Sequence, residues 1–396
     1  MKEISVCQIT TWISGGAGIA ASRLNESLNL LNAEVKSKLL TKSKKEDLKD
    51  SQASLRSYHS EILSRIKYML LSKNCISNNK NNYEFFSYFE TGYRPDFEEF
   101  DIIHLHWVSN FIDLKSLIKK YSHKKIVWTL HDLNPFLGGL HYSIDLERIS
   151  SDLREYEKKL MLEKHKIIKG KGIHFNFLSK WLYEEALKFA PWLSNEDCSF
   201  SVNGMDISSF QVDDREKTLE SLGMDPSKRN VLFISESISN YRKGADLLFQ
   251  ALGADFTNNH NIQLHAIGKK DLENEYPHIN FVGRINDFSL LQKYYLASDF
   301  FILPSRQDNL PNVMLESLCS GCPVISFKTG GMKEWISDRN GILSEEISSD
   351  GLQKAVEMAF QRNFDRNEIS KTAKENFNSI KATSLYSDLY RRLCRK

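Results

Sequence analysis

Short apolar runs recur along the chain, separated by polar or helix-like stretches. They stand at 3–10 (EISVCQIT), 35–40, 102–107 (IIHLHW), 125–130 (KIVWTL) and 173–178 (IHFNFL). A second series follows at 230–235 (NVLFIS), 262–267 (IQLHAI), 279–283 (INFVG), 299–304 (DFFILP) and 323–327 (PVISF). Runs this short, rich in β-branched and aromatic residues and bounded by turn residues, predict buried strands. Between them, 20–31, 245–252, 289–297 and 311–320 carry helical periodicity. Strands alternating with helices predict an α/β protein whose parallel sheets are joined by right-handed crossovers. The strands suffice for two such sheets, divided near residue 200. The segment SVNGMDISSF, 201–210, has the Asn-Gly and Asp chemistry of a connector and places the hinge there.

Other stretches break the alternation. Residues 41–100 are rich in Lys, Ser and Asn and include NNKNN at 78–82, which reads as a solvated insertion. Within it EILSRIKYMLL, 61–71, carries Arg65 and Lys67 among apolar residues. That pattern suits an anionic membrane surface, although a buried helix fits it better. The Phe and Tyr pairs at 85–88 and 294–295 read as core, and the last ~25 residues as one helix.

Composition narrows the classes. The 396 residues hold 53 Lys and Arg against 51 Asp and Glu, a formal charge of +2, which excludes a strongly basic nucleic-acid binder. At 41% hydrophobic and 26% charged the chain is ordinary globular material. No stretch approaches the ~18 apolar residues of a membrane span. The start, MKEISVCQIT, carries charge where a signal peptide would be apolar, so a cytoplasmic protein is expected. Six cysteines are too few and too scattered for a disulfide framework. Cys319 and Cys322 form a CxxC without His or Cys partners nearby, so they read as small packing residues rather than a zinc or redox site.

The most informative segment is 304–327, PSRQDNLPNVMLESLCSGCPVISF, which reads strand, loop, helix, tight turn, strand. Pro311 suits the first helical position and Gly321 the helix stop. Free amides around Leu310 to Val313 would then face the mouth of the sheet, where open α/β sheets bind ligands and helix starts attract phosphate. Asp308 and Glu316 frame this loop, roughly 8 Å apart along the helix axis by helical rise. They suit hydrogen bonding to two polyhydroxylated parts of one ligand.

These letters resemble the nucleotide-sugar site of retaining glycosyltransferases of family 4 (glycosyl transferases group 1). That family's hallmark is an acid, seven residues, then Glu, followed by a helix end of the form ACGTPVI. Here the hallmark is Asp308 to Glu316, followed by CSGCPVISFKTGG. Further segments agree in order. ISGGAGIAASRL (13–24) resembles the N-terminal glycine loop, and IVWTLHDLNPFLGGLHYS (126–143) the strand and loop bearing the family's His. SVNGMDISSF resembles the linker, YRKGADLLFQAL (241–252) the phosphate-lysine segment, and GRINDFSLLQKYYLASDFFILPS (283–305) the elements before the acidic loop. The wording HWV, WTLHDLNPF and DNLPNV is similar to the exopolysaccharide (colanic-acid type) branch.

The resemblance implies the GT-B fold, in which two Rossmann-like domains face each other across a cleft. The expected divisions are an acceptor domain, 1–200, a donor domain, 201–375, and a terminal helix, 376–396, returning to the first domain. It implies transfer of a sugar, with retained configuration and no metal or other cofactor, from a UDP-, GDP- or ADP-sugar to a glycan or lipid-linked acceptor. Surface polysaccharide synthesis, with peripheral contact at the cytoplasmic membrane face, is the expected setting. Glu316 would hold the donor ribose, and Asp308 with the amides of Asn309 and Leu310 the transferred sugar. Lys243 with Arg242 would neutralise the diphosphate. Ile238 stands where relatives carry an Arg, so Arg242 or Arg306 would substitute. Gly15 and Gly16 would admit the phosphates, His131 would lie beside the reacting sugar, and the backbone at Gly283 and Arg284 would meet the base.

Two departures stand out: Asp308 replaces the commoner Glu, and Leu140 and Asp145 occupy a region where the branch carries cysteines. No DxD sits on a loop beyond a strand, which favours a metal-independent reaction. His104 and His106 share one side of a strand without a third ligand and read as structural or acceptor-cleft residues. Two rivals remain. A non-catalytic nucleotide- or glycan-binding partner would have lost the lysine, the acidic pair or the loop His. An NAD(P)-dependent oxidoreductase would use Gly16-Ala-Gly18-Ile-Ala-Ala21, but that loop stands too far from its strand and no acid follows the next one.

Overall fold

The structure is a computed structural model that describes residues 3–31, 34–54, 96–210, 214–270 and 276–395. The stretches 61–71, 78–82 and 85–88 lie outside these residues. Two compact units form: Met1–Gly204 with Ser379–Lys396, and Met205–Asn378.

The first unit holds β1 (Ile4–Ile9), β2 (Val35–Thr41), β3 (Gln52–Ser54), β4 (Ile102–Leu105), β5 (Lys125–Leu130), β6 (Ile173–Phe177) and β7 (Cys198–Phe200). All pair in parallel, in the order β3-β2-β1-β4-β5-β6-β7. The order reverses between β1 and β4, leaving a crevice beyond their carboxyl ends where doubly wound sheets take ligands. The helices Gly15–Leu31 and Ser379–Arg395 share a core with the sheet, in which Leu24 and Leu28 meet Val6, Val127, Tyr386 and Tyr390. A larger core includes Trp128, Phe136, Phe175, Phe177 and Trp181.

The second unit repeats the pattern with β8 (Arg229–Ser237), β9 (Ile262–Lys269), β10 (Ile279–Gly283), β11 (Phe300–Leu303), β12 (Val324–Phe327) and β13 (Gly341–Ser344). They run parallel in the order β10-β9-β8-β11-β12-β13, so the reversal falls between β8 and β11. Val231, Phe233, Leu264, Ile302 and Ile325 build its core with helices such as Ala245–Ala251 and Ser349–Phe360.

Each apolar run predicted as a strand is one. The expectation missed β3, β7 and β13, which are three or four residues long and carry polar or small residues. The expected single terminal helix is two. Asn378 takes extended backbone (φ −57, ψ 133), and the Phe377 carbonyl accepts from the Met205 amide at 2.7 Å. Arg366–Phe377 therefore stays with the second unit, and Ser379–Arg395 buries Ala382, Tyr386, Leu389 and Tyr390 in the first. Pro311 is the N-cap of the helix Asn312–Cys319 rather than its first residue, with extended backbone (φ −69, ψ 124). Tyr294 and Tyr295 are buried, as are Cys319 and Cys322, and both cysteines are free thiols.

Candidate functional site

In the second unit the site grows from two turns that meet at the β8/β11 reversal. After β8, the Asn240 side chain accepts from the Arg242 amide (3.1 Å) and starts the tight turn Tyr241–Lys243. Gly244 closes it at φ +69, where a Cβ would stand 1.9 Å from the Pro304 carbonyl oxygen. Only glycine lets this turn settle on the chain leaving β11. The Arg306 amide then donates to the Arg242 carbonyl (2.8 Å), and Arg242 Nη1 donates to the Gln307 carbonyl (2.8 Å).

These contacts bring two cations onto one carboxylate. Lys243 Nζ donates to Asp308 Oδ2 at 2.5 Å, and Arg242 Nη1 lies 3.2 Å from the same oxygen. The loop is gripped from behind by the two glycines after β12. Gly331 donates its amide to the Asp308 carbonyl (3.0 Å), and Gly330, at φ +59, has no room for a Cβ, which would sit 2.0 Å from that oxygen. Burial alone would raise the Asp308 carboxyl, but Lys243 and Arg242 together hold it well below the usual carboxylate range. Burial lowers the Lys243 ammonium from its ordinary value, with Asp308 opposing.

Arg306, one of the cations expected at the diphosphate, is paired with a carboxylate of its own unit. It grips Asp246 with both guanidinium nitrogens (2.8 and 2.6 Å), donates to the Tyr241 carbonyl (2.6 Å) and lies 3.9 Å over the Tyr241 ring. These contacts fasten the lysine turn, and Arg242 is the cation that shares Asp308 with Lys243. Asn309, buried, donates its amide to Asp308 Oδ1 at 3.2 Å. Leu310 is buried before the helix Asn312–Cys319, and Glu316, 5% exposed on that helix, accepts from the Tyr295 hydroxyl at 3.3 Å. Gly283 ends β10 at φ +87 with open space where a Cβ would be, and Arg284 pairs with Glu236 at 3.6 Å on the surface.

Gly15, Gly16 and His131 belong to the first unit. Gly15, at φ +73, opens the helix Gly15–Leu31 beyond β1. His131 follows β5, and its Nε2 lies 3.2 Å from His106 Nδ1, while His106 Nε2 lies 2.9 Å from Gln8 Oε1. His104 bridges the Tyr390 hydroxyl (2.7 Å) and the Thr129 hydroxyl (2.8 Å). Burial pushes His131 down to about 4 and His104 down to about 3, so both are neutral at physiological pH. His106 and His131 line one depression with Arg23, Ser27, Thr383 and Tyr386.

Sequence reasoning missed what fastens the His131 loop. Asp132 Oδ2 accepts from Trp107 Nε1 (3.0 Å) and lies 2.7 Å from His141 Nδ1. Buried Glu157 accepts the amides of Gly138 (2.5 Å) and Gly139 (2.7 Å). One helical face further along Ser151–Ile168, buried Lys164 donates to the Asn134 carbonyl at 2.5 Å, and burial pushes its ammonium down to about 7. This loop is thus tied by a carboxylate and an ammonium. The signal was present as an acid and a lysine seven residues apart, on one helix face. Among the described residues no group of three His, Cys, Asp or Glu converges as a metal site would require, and no helix is long and apolar enough to cross a membrane.

Residues 228–362 match the sequence profile of the family Glycosyl transferases group 1. The match lies within the second unit and contains Arg242, Lys243, Asp308 and Glu316. Two solved structures resemble the whole chain. Sucrose-phosphate synthase of Thermosynechococcus elongatus superposes with a TM-score of 0.69 at 15% identity, covering 99% of each chain. HepE of Anabaena, solved in complex with UDP-glucose, gives a TM-score of 0.66 at 14% identity, covering 98% of this chain and 100% of its own. The fold is GT-B. Among curated sequences, an uncharacterised glycosyltransferase of Methanocaldococcus jannaschii is 23% identical over 272 residues, 62% of each chain. The chain spans less than two thirds of the length of the first curated relatives it matches.

Proposed function

We propose that this GT-B protein is a retaining, metal-independent glycosyltransferase that moves a sugar from a nucleoside-diphosphate sugar to a glycan or lipid-linked acceptor. The observation that carries the reading is the cluster of Arg242, Lys243 and Asp308 at the sheet reversal of the unit that matches the glycosyltransferase profile. Breaking the anomeric bond leaves a nucleoside diphosphate, so fixed cations belong where that negative charge develops. Arg242 and Lys243 are fixed by Asp308, Gln307 and the turn between them, and they supply that charge from the protein itself.

Asp308 meets the sugar at the edge of the diphosphate, with the Asn309 and Leu310 amides beside it, and Glu316 holds the ribose from within the helix. His131, held neutral by burial, is the residue that the family likeness puts beside the reacting sugar. The donor phosphate takes the acceptor proton, and attack from the same face retains the configuration. The HepE complex with UDP-glucose makes UDP-glucose the first donor to try. The sequence likeness to the exopolysaccharide branch supports a surface polysaccharide as product, made at the cytoplasmic membrane face.

A thermal-shift panel with UDP, GDP, ADP, NAD and NADP, with Lys243→Ala as control, tests the reading. A ligand at a hundred times its dissociation constant adds about 2.7 kcal/mol. Stabilisation by one nucleoside diphosphate, lost in the variant, is the expected result. Stabilisation by NAD or NADP alone would overturn it.

A further inference from the structure

The helix Ser151–Ile168 carries two unlike faces. Leu153, Glu157, Leu160, Lys164 and Ile168 are buried, and Glu157 and Lys164 hold the loop after β5 from this inner side. The outer side is basic. Every exposed residue between 156 and 172 is a lysine, Leu162 or a glycine. Lys158, Lys159 and Lys166 stand on the helix, and Lys169 and Lys171 in the turn behind it. That turn stands clear of the protein, since a Cβ at Gly170 or Gly172 would meet no atom within 4 Å. At about 100° per residue, Lys158 and Lys166 lie about 40° to either side of Leu162, and Lys159 about 60° from it. Leu162, 49% exposed, is thus at the middle of the basic face.

None of the five lysines has a side-chain hydrogen bond or ion pair among the described residues. The exposed acids Asp152 and Glu155 stay in the first two turns, at the far end of the helix. The helix Leu114–Lys120, which packs against this one, exposes Lys115, Lys119, Lys120 and a serine, again without an acid. The whole chain is only +2, so cations are gathered on this side rather than spread. Unpaired lysines around an exposed leucine match what an anionic membrane surface takes. The ammonium groups meet lipid phosphates, while the apolar side chain reaches the acyl boundary. A soluble polyanion would satisfy the lysines but gain nothing from Leu162. We propose that this outer face docks the first unit on an anionic lipid bilayer, with the helix lying along the headgroups. The face supplies a surface for the membrane setting proposed above, and it needs neither donor nor transfer to act.

Flotation of the full chain with lipid vesicles is the test. At about 0.1 M salt the protein should float with phosphatidylcholine vesicles containing about one quarter phosphatidylglycerol, and about 0.5 M salt should release it. Vesicles of phosphatidylcholine alone should leave it behind. Lys158→Gln, Lys159→Gln and Lys166→Gln combined should weaken binding about a hundredfold, at about fivefold per lysine. Leu162→Gln should cost about fivefold. Lys354→Gln with Lys371→Gln, at exposed positions of the second unit, should change little. If the triple variant does not fold, Lys158→Gln and Lys166→Gln singly should each show the fivefold loss. No binding to the anionic vesicles, a triple variant that binds like the wild type, or an equal loss in the second-unit variant overturns the proposal. So does polygalacturonate that binds as tightly as the vesicles while Leu162→Gln affects neither, which would assign the face to an acidic glycan. Absence of transfer with every donor would count against the glycosyltransferase reading alone, and absence of vesicle binding against this docking face alone.

Discussion

Asp308→Asn separates the two jobs that meet at the donor site. In the wild type two cations face one carboxylate, leaving one net positive charge; the amide keeps the shape and leaves two. Lys243 Nζ stands 2.5 Å from Asp308 Oδ2. A phosphate oxygen bonded to that ammonium at about 2.8 Å therefore comes within about 5 Å of the carboxylate. Two like charges at that separation cost about 3 kcal/mol at an effective dielectric near 20. Solvent in an open site screens part of this, so about 1.4 kcal/mol, a tenfold gain, is the least expected. Isothermal titration calorimetry with the nucleoside diphosphate should thus find the variant binding at least tenfold more tightly, while sugar transfer falls. Unchanged or weaker binding would refute the charge argument. The variant should also be less stable by about 1–3 kcal/mol, the usual cost of a lost charged hydrogen bond. The sign with pH follows from the depressed Asp308 carboxyl. Its stabilising contribution is complete above the unfolded value near 3.9 and is lost only as pH falls through the lower folded value. The gap in stability between wild type and variant should hold from pH 7 to about pH 4 and close below it.

The remaining predictions concern single contacts. Glu316→Gln keeps an acceptor for the Tyr295 hydroxyl, so Tm should move little while turnover drops at least tenfold; near-normal turnover would remove Glu316 from the site. Gly330→Ala forces a Cβ against the Asp308 carbonyl at a positive φ, and should lower stability by about 1–3 kcal/mol and weaken diphosphate binding, as thermal unfolding and titration would read. Tyr390→Phe strips the hydroxyl 2.7 Å from His104 Nδ1, and chemical denaturation should show a loss of about 1–3 kcal/mol, with diphosphate affinity unchanged.

How much was legible beforehand follows from how local each signal is. Strands such as Ile102–Leu105 and Val324–Phe327 are buried on both faces, so the run of apolar letters is itself the consequence of burial. β3 and β7 are three residues long at sheet edges, where backbone pairing with one neighbour needs no apolar run. The break at Asn378 was hidden because helical periodicity runs on both sides of it, whereas the contact made there, the Met205 amide on the Phe377 carbonyl, comes from far away in the chain. Lys243 and Asp308 stood out by their motif, but their pairing at 2.5 Å did not. Nor did the assignment of Arg306 to Asp246, since a basic residue looks the same in sequence whether it faces a phosphate or a carboxylate.

The sequence by itself determined the class of fold, the count of halves and the residue types at the donor loop. Those follow from periodicity, glycine placement and the chemistry of individual side chains, all of which act over a few neighbouring residues. Tertiary structure alone decided which two cations neutralise Asp308, what Arg306 grips, and what ties the His131 loop. Each of these depends on atoms brought within about 3 Å by strand order and register, and a hydrogen bond, falling away steeply with distance and angle, exists only once that geometry is made.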